Sequence, residues 1–192
     1  MSRTPSVMIE LGTQAPAFDL LEPKTGNKVA LNSFANKPLA VVFICNHCPY
    51  VKHIAEKMAE VAARFQANGG VFVAINSNDA ANYPDDSPEK MVDMINEYGF
   101  NFPYLFDETQ EIAHAYQAAC TPDLYLFDSE HRLYYRGQFD SARPHNEEAV
   151  TGADLEGAMI SLISGKAASK EQLPSLGCNV KWREGNEPEY FG

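Results

Sequence analysis

The sequence is short of positive charge. Fifteen Lys and Arg stand against 26 Asp and Glu, a formal net charge of −11, and the basic residues are scattered without forming a patch. Nucleic acid and anionic membranes are therefore poor partners for this chain. Long hydrophobic runs are missing as well. Nowhere do about eighteen apolar residues follow one another, and the opening "MSRTPSVMIELGTQA" has no apolar core of the kind a secretory signal needs. These absences lead to the expectation of a cytoplasmic protein with no membrane and no nucleic-acid partner. Cysteine is sparse too: there are four, and in a reducing compartment such residues point to catalysis or metal binding rather than to structural staples. No internal repeat or low-complexity segment interrupts the chain.

What is present is globular. A hydrophobic fraction of 45% over 192 residues suits one domain spanning 1–192, with a core from about 35 to 165 and a tail over 166–192. The run "LAVVFIC" at 39–45 is apolar and β-branched, as in a strand buried on both faces. After it the period changes: Val51, Ile54, Met58, Val61 and Phe65 recur at helical steps, with Lys52, Glu56, Lys57, Glu60 and Arg64 opposite them. Pro49 suits the first turn of that helix and Asn68-Gly69-Gly70 its end. "VFVAINS" at 71–77 is a second buried strand, completing a βαβ unit.

A polar loop, "NDAANYPDDS", leads to a helix over about 88–98, started by Ser87-Pro88 and stopped by Gly99. A short "YLF" at 104–106 and a helix over about 109–118 follow. The strands 124–128 and 132–138 are joined closely enough to force a hairpin. Thr151 and Asp154 have capping-box spacing before a last helix, closed by Gly165. Upstream, "FDL" and "KVAL" pair as a small hairpin around Gly26-Asn27. Downstream, 166–192 has no helical period and reads as an extended tail wrapping the domain.

The chemistry centres on Cys45-Asn46-His47-Cys48, where the first buried strand turns into a helix. Unpaired N–H groups and the helix dipole stabilise an anion there, so the more exposed sulfur is expected below the ~8.5 of an ordinary cysteine. His47 inside the pair, with Lys52 and His53 a turn later, adds positive charge, and a stabilised thiolate makes the disulfide more oxidising. A zinc or copper site built from Cys45, Cys48 and a histidine is a rival use of the same residues.

Taken together, "CNHCPYVKH", "FPYLFDETQEIAHAY", "CTPDLYLFD", "YRGQFDSARP" and "PSLGCNVKWREGNEPEY" resemble the thioredoxin superfamily, and within it the peroxiredoxin-like redoxins related to alkyl hydroperoxide reductase and thiol-specific antioxidant proteins. The resemblance implies an α/β thioredoxin-like fold, a central mixed β-sheet flanked by helices, with the N-terminal hairpin and the extended C-terminal tail added to it. It also implies a cis peptide at Thr121-Pro122, facing the redox pair and offering its backbone to a substrate.

Two departures leave the activity open. Ile44 precedes the pair where thioredoxins have Trp, and Cys45 stands where peroxiredoxins have Thr, although Cys48-Pro49 matches their peroxidatic Cys-Pro. The leading expectation is a thiol–disulfide oxidoreductase in which an exposed Cys45 attacks and Cys48 resolves. The alternatives are a thiol peroxidase with Cys48 attacking peroxide, aided by Arg136 or Arg143, and a copper carrier. Cys120, beside the cis-proline loop, is an accessory candidate or an inert thiol; Cys178 is a third redox partner or a packing residue. His114, His131 and His145 are expected in local hydrogen-bonding or solvated roles. The expected partners are a protein or small-molecule disulfide, or a peroxide, with a thiol reductant; no cofactor and no resident metal are required.

Overall fold

The computed structural model describes residues 3–190. A short strand β1 (Arg3–Pro5) comes first, and then the hairpin of β2 (Asp19–Glu22) and β3 (Asn27–Ala30), paired antiparallel from Asp19 opposite Ala30 to Glu22 opposite Asn27. Strand β4 (Leu39–Phe43) is buried along its whole length and runs into helix α1 (Pro49–Ala67). Strand β5 (Val71–Asn76), helix α2 (Pro88–Tyr98) and strand β6 (Tyr104–Phe106) follow, and after them the short helix α3 (Glu111–Tyr116). Strands β7 (Cys120–Thr121), β8 (Asp123–Phe127) and β9 (Leu133–Arg136), helix α4 (Ala153–Ile163) and strand β10 (Leu176–Asn179) complete the order.

Seven strands form the central sheet in the order β3-β2-β6-β5-β4-β8-β9. β4 pairs parallel with β5 and antiparallel with β8, so the sheet is mixed. Alternation along β4 divides the interior in two. Ala40 and Val42 face the buried side of α1, with Val51, Ile54, Met58, Val61 and Phe65, and they share that layer with Met91 and Ile95 of α2 and Leu155 and Met159 of α4. Leu39, Val41 and Phe43 face the other way, onto Tyr116, Tyr125, Phe127 and Trp182. Burying each large apolar side chain in these layers contributes about 1.5–3 kcal/mol. This is a thioredoxin-like fold, a central mixed sheet flanked by helices.

The structure departs from the sequence pattern in three places. The helix expected over 109–118 covers only Glu111–Tyr116, because Gln110 and Gln117 both take left-handed backbone conformations and close it at each end. The expected Thr151/Asp154 capping box does not form. Gly152 is the left-handed N-cap, and Asp140 Oδ2 accepts the backbone N–H groups of Thr151 and Gly152, each at 2.7 Å. The tail is extended as expected, but it also contributes β10, which lies between β1 and β7 in a three-stranded antiparallel sheet.

Candidate active site

The end of β4 delivers the Cys45–Cys48 loop to the first turn of α1. Ile44 N–H still bonds Ile75 O at 2.9 Å, extending the ladder by one residue. Cys48 is the N-cap of α1, with Pro49 opening the first turn, where its missing N–H costs nothing. The loop between these points is held by Asp86, which is fully buried. Asp86 Oδ1 accepts the backbone N–H groups of Asn46 (2.7 Å) and His47 (3.2 Å). Its Oδ2 accepts from Asn78 Nδ2 (2.8 Å) and lies 2.6 Å from His47 Nδ1. Burial alone would raise the Asp86 pKa, but the hydrogen bonds from His47 and Asn78 outweigh it and hold the carboxyl below its ordinary value. Asn46 is fixed in turn by Tyr104 Oη at 2.9 Å and by Asp85 O at 3.0 Å.

Facing the loop is the Thr121-Pro122 peptide, which is cis. Thr121 Oγ1 lies 3.3 Å from Cys45 Sγ, and Thr121 O accepts from Cys48 Sγ at 3.2 Å. The third wall is β10. Cys178 stands opposite Thr121 in the β10–β7 ladder and packs in the same buried cluster as Cys45 and Cys48. All four cysteines are thiols.

The sequence suggested an exposed, acidified Cys45, and the structure corrects both points. Cys45 is 1% exposed and Cys48 is 0% exposed, because the loop around Asp86 packs on one side and β10 on the other. Burial raises the Cys45 thiol well above its usual value, helped by its hydrogen bond to Cys48 and the negative charge of Asp86. Cys48 moves the other way: hydrogen bonds from the thiols of Cys178 and Cys45, with the N–H of Val51, outweigh its burial and hold it far below an ordinary cysteine. The Thr121 carbonyl, as an acceptor, favours the Cys48 thiol over its thiolate, and the donors prevail.

Of the accessory candidates, His47 is the part of the motif that reaches the surface. Its ring stacks on Tyr83, with centroids 5.7 Å apart. Together with Asn82, Pro84, Asp85, Asn179 and Lys181 the two rings line a groove of about 500 Å³ beside the pair. The arginines are engaged elsewhere. Arg136 Nη1 donates to Gln172 Oε1 at 2.7 Å, and Arg143 donates to Gln138 Oε1, Asp140 O and Ala142 O. Arg143 does line a narrow crevice with Tyr50 and Pro122, but all of its hydrogen bonds stay within its own loop. Cys120, the neighbour of Thr121, is buried, and its thiol is raised by desolvation and by Asp123. His114 Nε2 lies 2.7 Å from Asn186 O and His131 Nε2 3.2 Å from Phe34 O, so both tie distant segments together rather than bonding locally, and His145 is exposed.

Donor atoms of Cys45, His47 and Asp86 lie within 4.8 Å of one another. Both Asp86 oxygens already serve two partners each, so a metal here would have to break the contacts that shape the loop. One part of the site, Asp86, escaped the sequence reading, and so did the placement of another, Cys178, which the sequence offered as a redox partner or a packing residue. Asp86 is hidden in the acidic loop "NYPDDS", where nothing marks one carboxylate as buried. Cys178, 130 positions after Cys48, is brought back only by a strand that the tail's pattern did not reveal.

A mixed sheet of this order, two cysteines at the strand-to-helix turn and a cis-proline loop against them define a thioredoxin-superfamily redoxin, an oxidoreductase by class. Comparison with known proteins narrows this. Residues 11–136 match the AhpC/TSA family, and the chain belongs to it. Over 125 residues it is 22% identical to the thiol-disulfide oxidoreductase ResA of Bacillus thuringiensis, covering 65% of this chain and 68% of that one. Two solved structures are similar over nearly their whole length. An uncharacterized conserved protein from Geobacillus kaustophilus is 47% identical with a TM-score of 0.93, covering 95% of this chain and 97% of that one. A hypothetical protein from Sinorhizobium meliloti 1021 is 46% identical with a TM-score of 0.92, covering 95% and 100%.

Proposed function

We propose that this protein is a cytoplasmic thiol–disulfide oxidoreductase whose exchanging groups are Cys48 and Cys45. The observation that carries the proposal is the placement of both sulfurs against Thr121 beside the cis-proline, with hydrogen bonding pulling the Cys48 thiol below its ordinary value and burial pushing Cys45 above it. The Cys48 thiolate attacks one sulfur of a substrate disulfide, and the other substrate sulfur leaves as a thiolate. Cys45 then attacks Cys48 in the mixed disulfide, its proton passes to the departing substrate thiolate, and the pair is left as a disulfide. A thiol reductant recharges it. Substrate approaches from the groove beside His47, whose Lys181 and Asn179 supply polar contacts. The substrate is a protein or a small-molecule disulfide; the similarity to ResA supports this chemistry.

An acidified Cys48 followed by Pro49 also favours a second reading, peroxide reduction through a Cys48 sulfenic acid that Cys45 condenses with. That reading lacks an arginine on Cys48, since Arg136 and Arg143 are bonded to Gln172 and to the 138–143 loop. Parallel rate measurements on the reduced protein separate the two. Exchange predicts oxidation by a protein disulfide at low concentration and slow reaction with hydrogen peroxide. Rapid sulfenylation of Cys48 by peroxide, with no oxidation by the disulfide, would establish the peroxidase instead.

A further inference from the structure

The tail does more than wrap the domain. Gly177 lies against the Thr121 backbone so closely that any Cβ on it would collide with the Thr121 carbonyl. Ser175 Oγ donates to Pro122 O at 2.6 Å, and Ser6 N–H and hydroxyl meet Ser175 from the far side, at 3.0 and 2.9 Å. The strand is thus held to the cis-proline loop at Ser175 and at Gly177, and the next residue is Cys178. It is 1% exposed and packs in the same buried cluster as Cys45 and Cys48. Thr121 is the common reference: its hydroxyl touches Cys45, its carbonyl touches Cys48, and its ladder partner is Cys178.

We infer that Cys178 is a second resolving thiol for Cys48, presented by β10 as a built-in counterpart of a substrate strand. The inference rests on the exchange reading above. Cys48 is flanked by Cys45 on the loop side and Cys178 on the tail side, so a mixed disulfide on Cys48 has two internal exits. In the second, Cys178 sulfur attacks Cys48 sulfur, the Cys48–substrate bond breaks, and the Cys178 proton passes to the leaving substrate thiolate. Electrons balance, because one disulfide replaces another. The same attack on a Cys45–Cys48 disulfide forms Cys48–Cys178 and returns Cys45 to the thiol, with no external oxidant or reductant.

The test uses oxidised glutathione as the disulfide, with peptide mapping of the products. Wild-type protein should yield the Cys45–Cys48 disulfide together with a fraction of Cys48–Cys178. Cys45→Ser, and Cys45→Ala as a second variant should the first fail to fold, should release glutathione and accumulate Cys48–Cys178. The double variant Cys45→Ser/Cys178→Ser should lose that exit and retain glutathione on Cys48. A persistent Cys48–glutathione adduct in Cys45→Ser, or no reaction of that variant, with wild type still forming Cys45–Cys48, would overturn the role of Cys178 and leave the exchange reading standing. Wild-type protein that forms no Cys45–Cys48 disulfide would overturn the exchange reading itself.

Discussion

Cys178 stands directly opposite Thr121 in the antiparallel ladder between β10 and β7. Thr121 in turn touches Cys45 through its hydroxyl and Cys48 through its carbonyl. One residue before a cis-proline therefore registers three sulfurs from two separated parts of the chain. The burial of the pair follows from that arrangement, whereas its unequal acidity comes from desolvation of Cys45 and from the donors to Cys48.

Gly177→Ala tests whether the strand seals the site. The new methyl would meet the Thr121 carbonyl and carbon, which are backbone and cannot turn aside, so β10 must shift. Overpacking of this kind costs about 1–3 kcal/mol. Denaturant unfolding should show that loss, and alkylation of Cys45 and Cys48 in the reduced protein should become faster than in wild type. Unchanged alkylation with lowered stability would mean that β10 does not limit access.

Asp86 is predicted to act as a positioning residue for the loop. Asp86→Ala leaves the Asn46 and His47 N–H groups and the Asn78 amide without their acceptor, and each buried unpaired group costs about 1–3 kcal/mol. Asp86→Asn is gentler and more informative, because it removes a negative charge that raises the Cys45 thiol. The Cys45 titration in this variant should move to lower pH. No movement in a folded Asp86→Asn protein would remove Asp86 from the electrostatics of the pair.

Asp123 gives a pH dependence of its own. It is fully buried, and desolvation pushes it up to about 7 despite bonds from Ala119 N–H and Tyr125 Oη. A raised carboxyl stabilises the fold while protonated. That contribution is complete below the unfolded value near 3.8 and is lost as pH rises toward 7. The loss attributable to this group is roughly 4 kcal/mol. Chemical denaturation of Asp123→Asn between these pH values should show that decline removed; an unchanged slope would mean that Asp123 ionises without cost.

Most of the architecture was legible because local patterns are strong where one face is buried. "LAVVFIC", the 51–65 heptad-like spacing and Ser87-Pro88 to Gly99 each specify their element without help from the rest of the chain. The Cys45–Cys48 turn was legible from the change of period after 39–45, and the cis Thr121-Pro122 peptide through the resemblance that its neighbouring motifs carry. What was not legible depends on distant partners. Asp140 replaces the capping box because it reaches the helix start from eleven to twelve residues upstream. The acidity of Cys48 rather than Cys45 depends on Cys178 and on Asp86, and neither lies within the motif. A helix dipole alone does not choose between two sulfurs that are both buried; their hydrogen-bond donors do.

The most direct test of the account is equilibrium oxidation of the reduced protein in glutathione redox buffers, with every disulfide mapped. The account predicts that each internal disulfide contains Cys48, with Cys45–Cys48 formed as the buffer becomes oxidising and Cys120 remaining a thiol throughout. A protein that forms no disulfide at Cys48, or in which Cys120 is oxidised first, would contradict it.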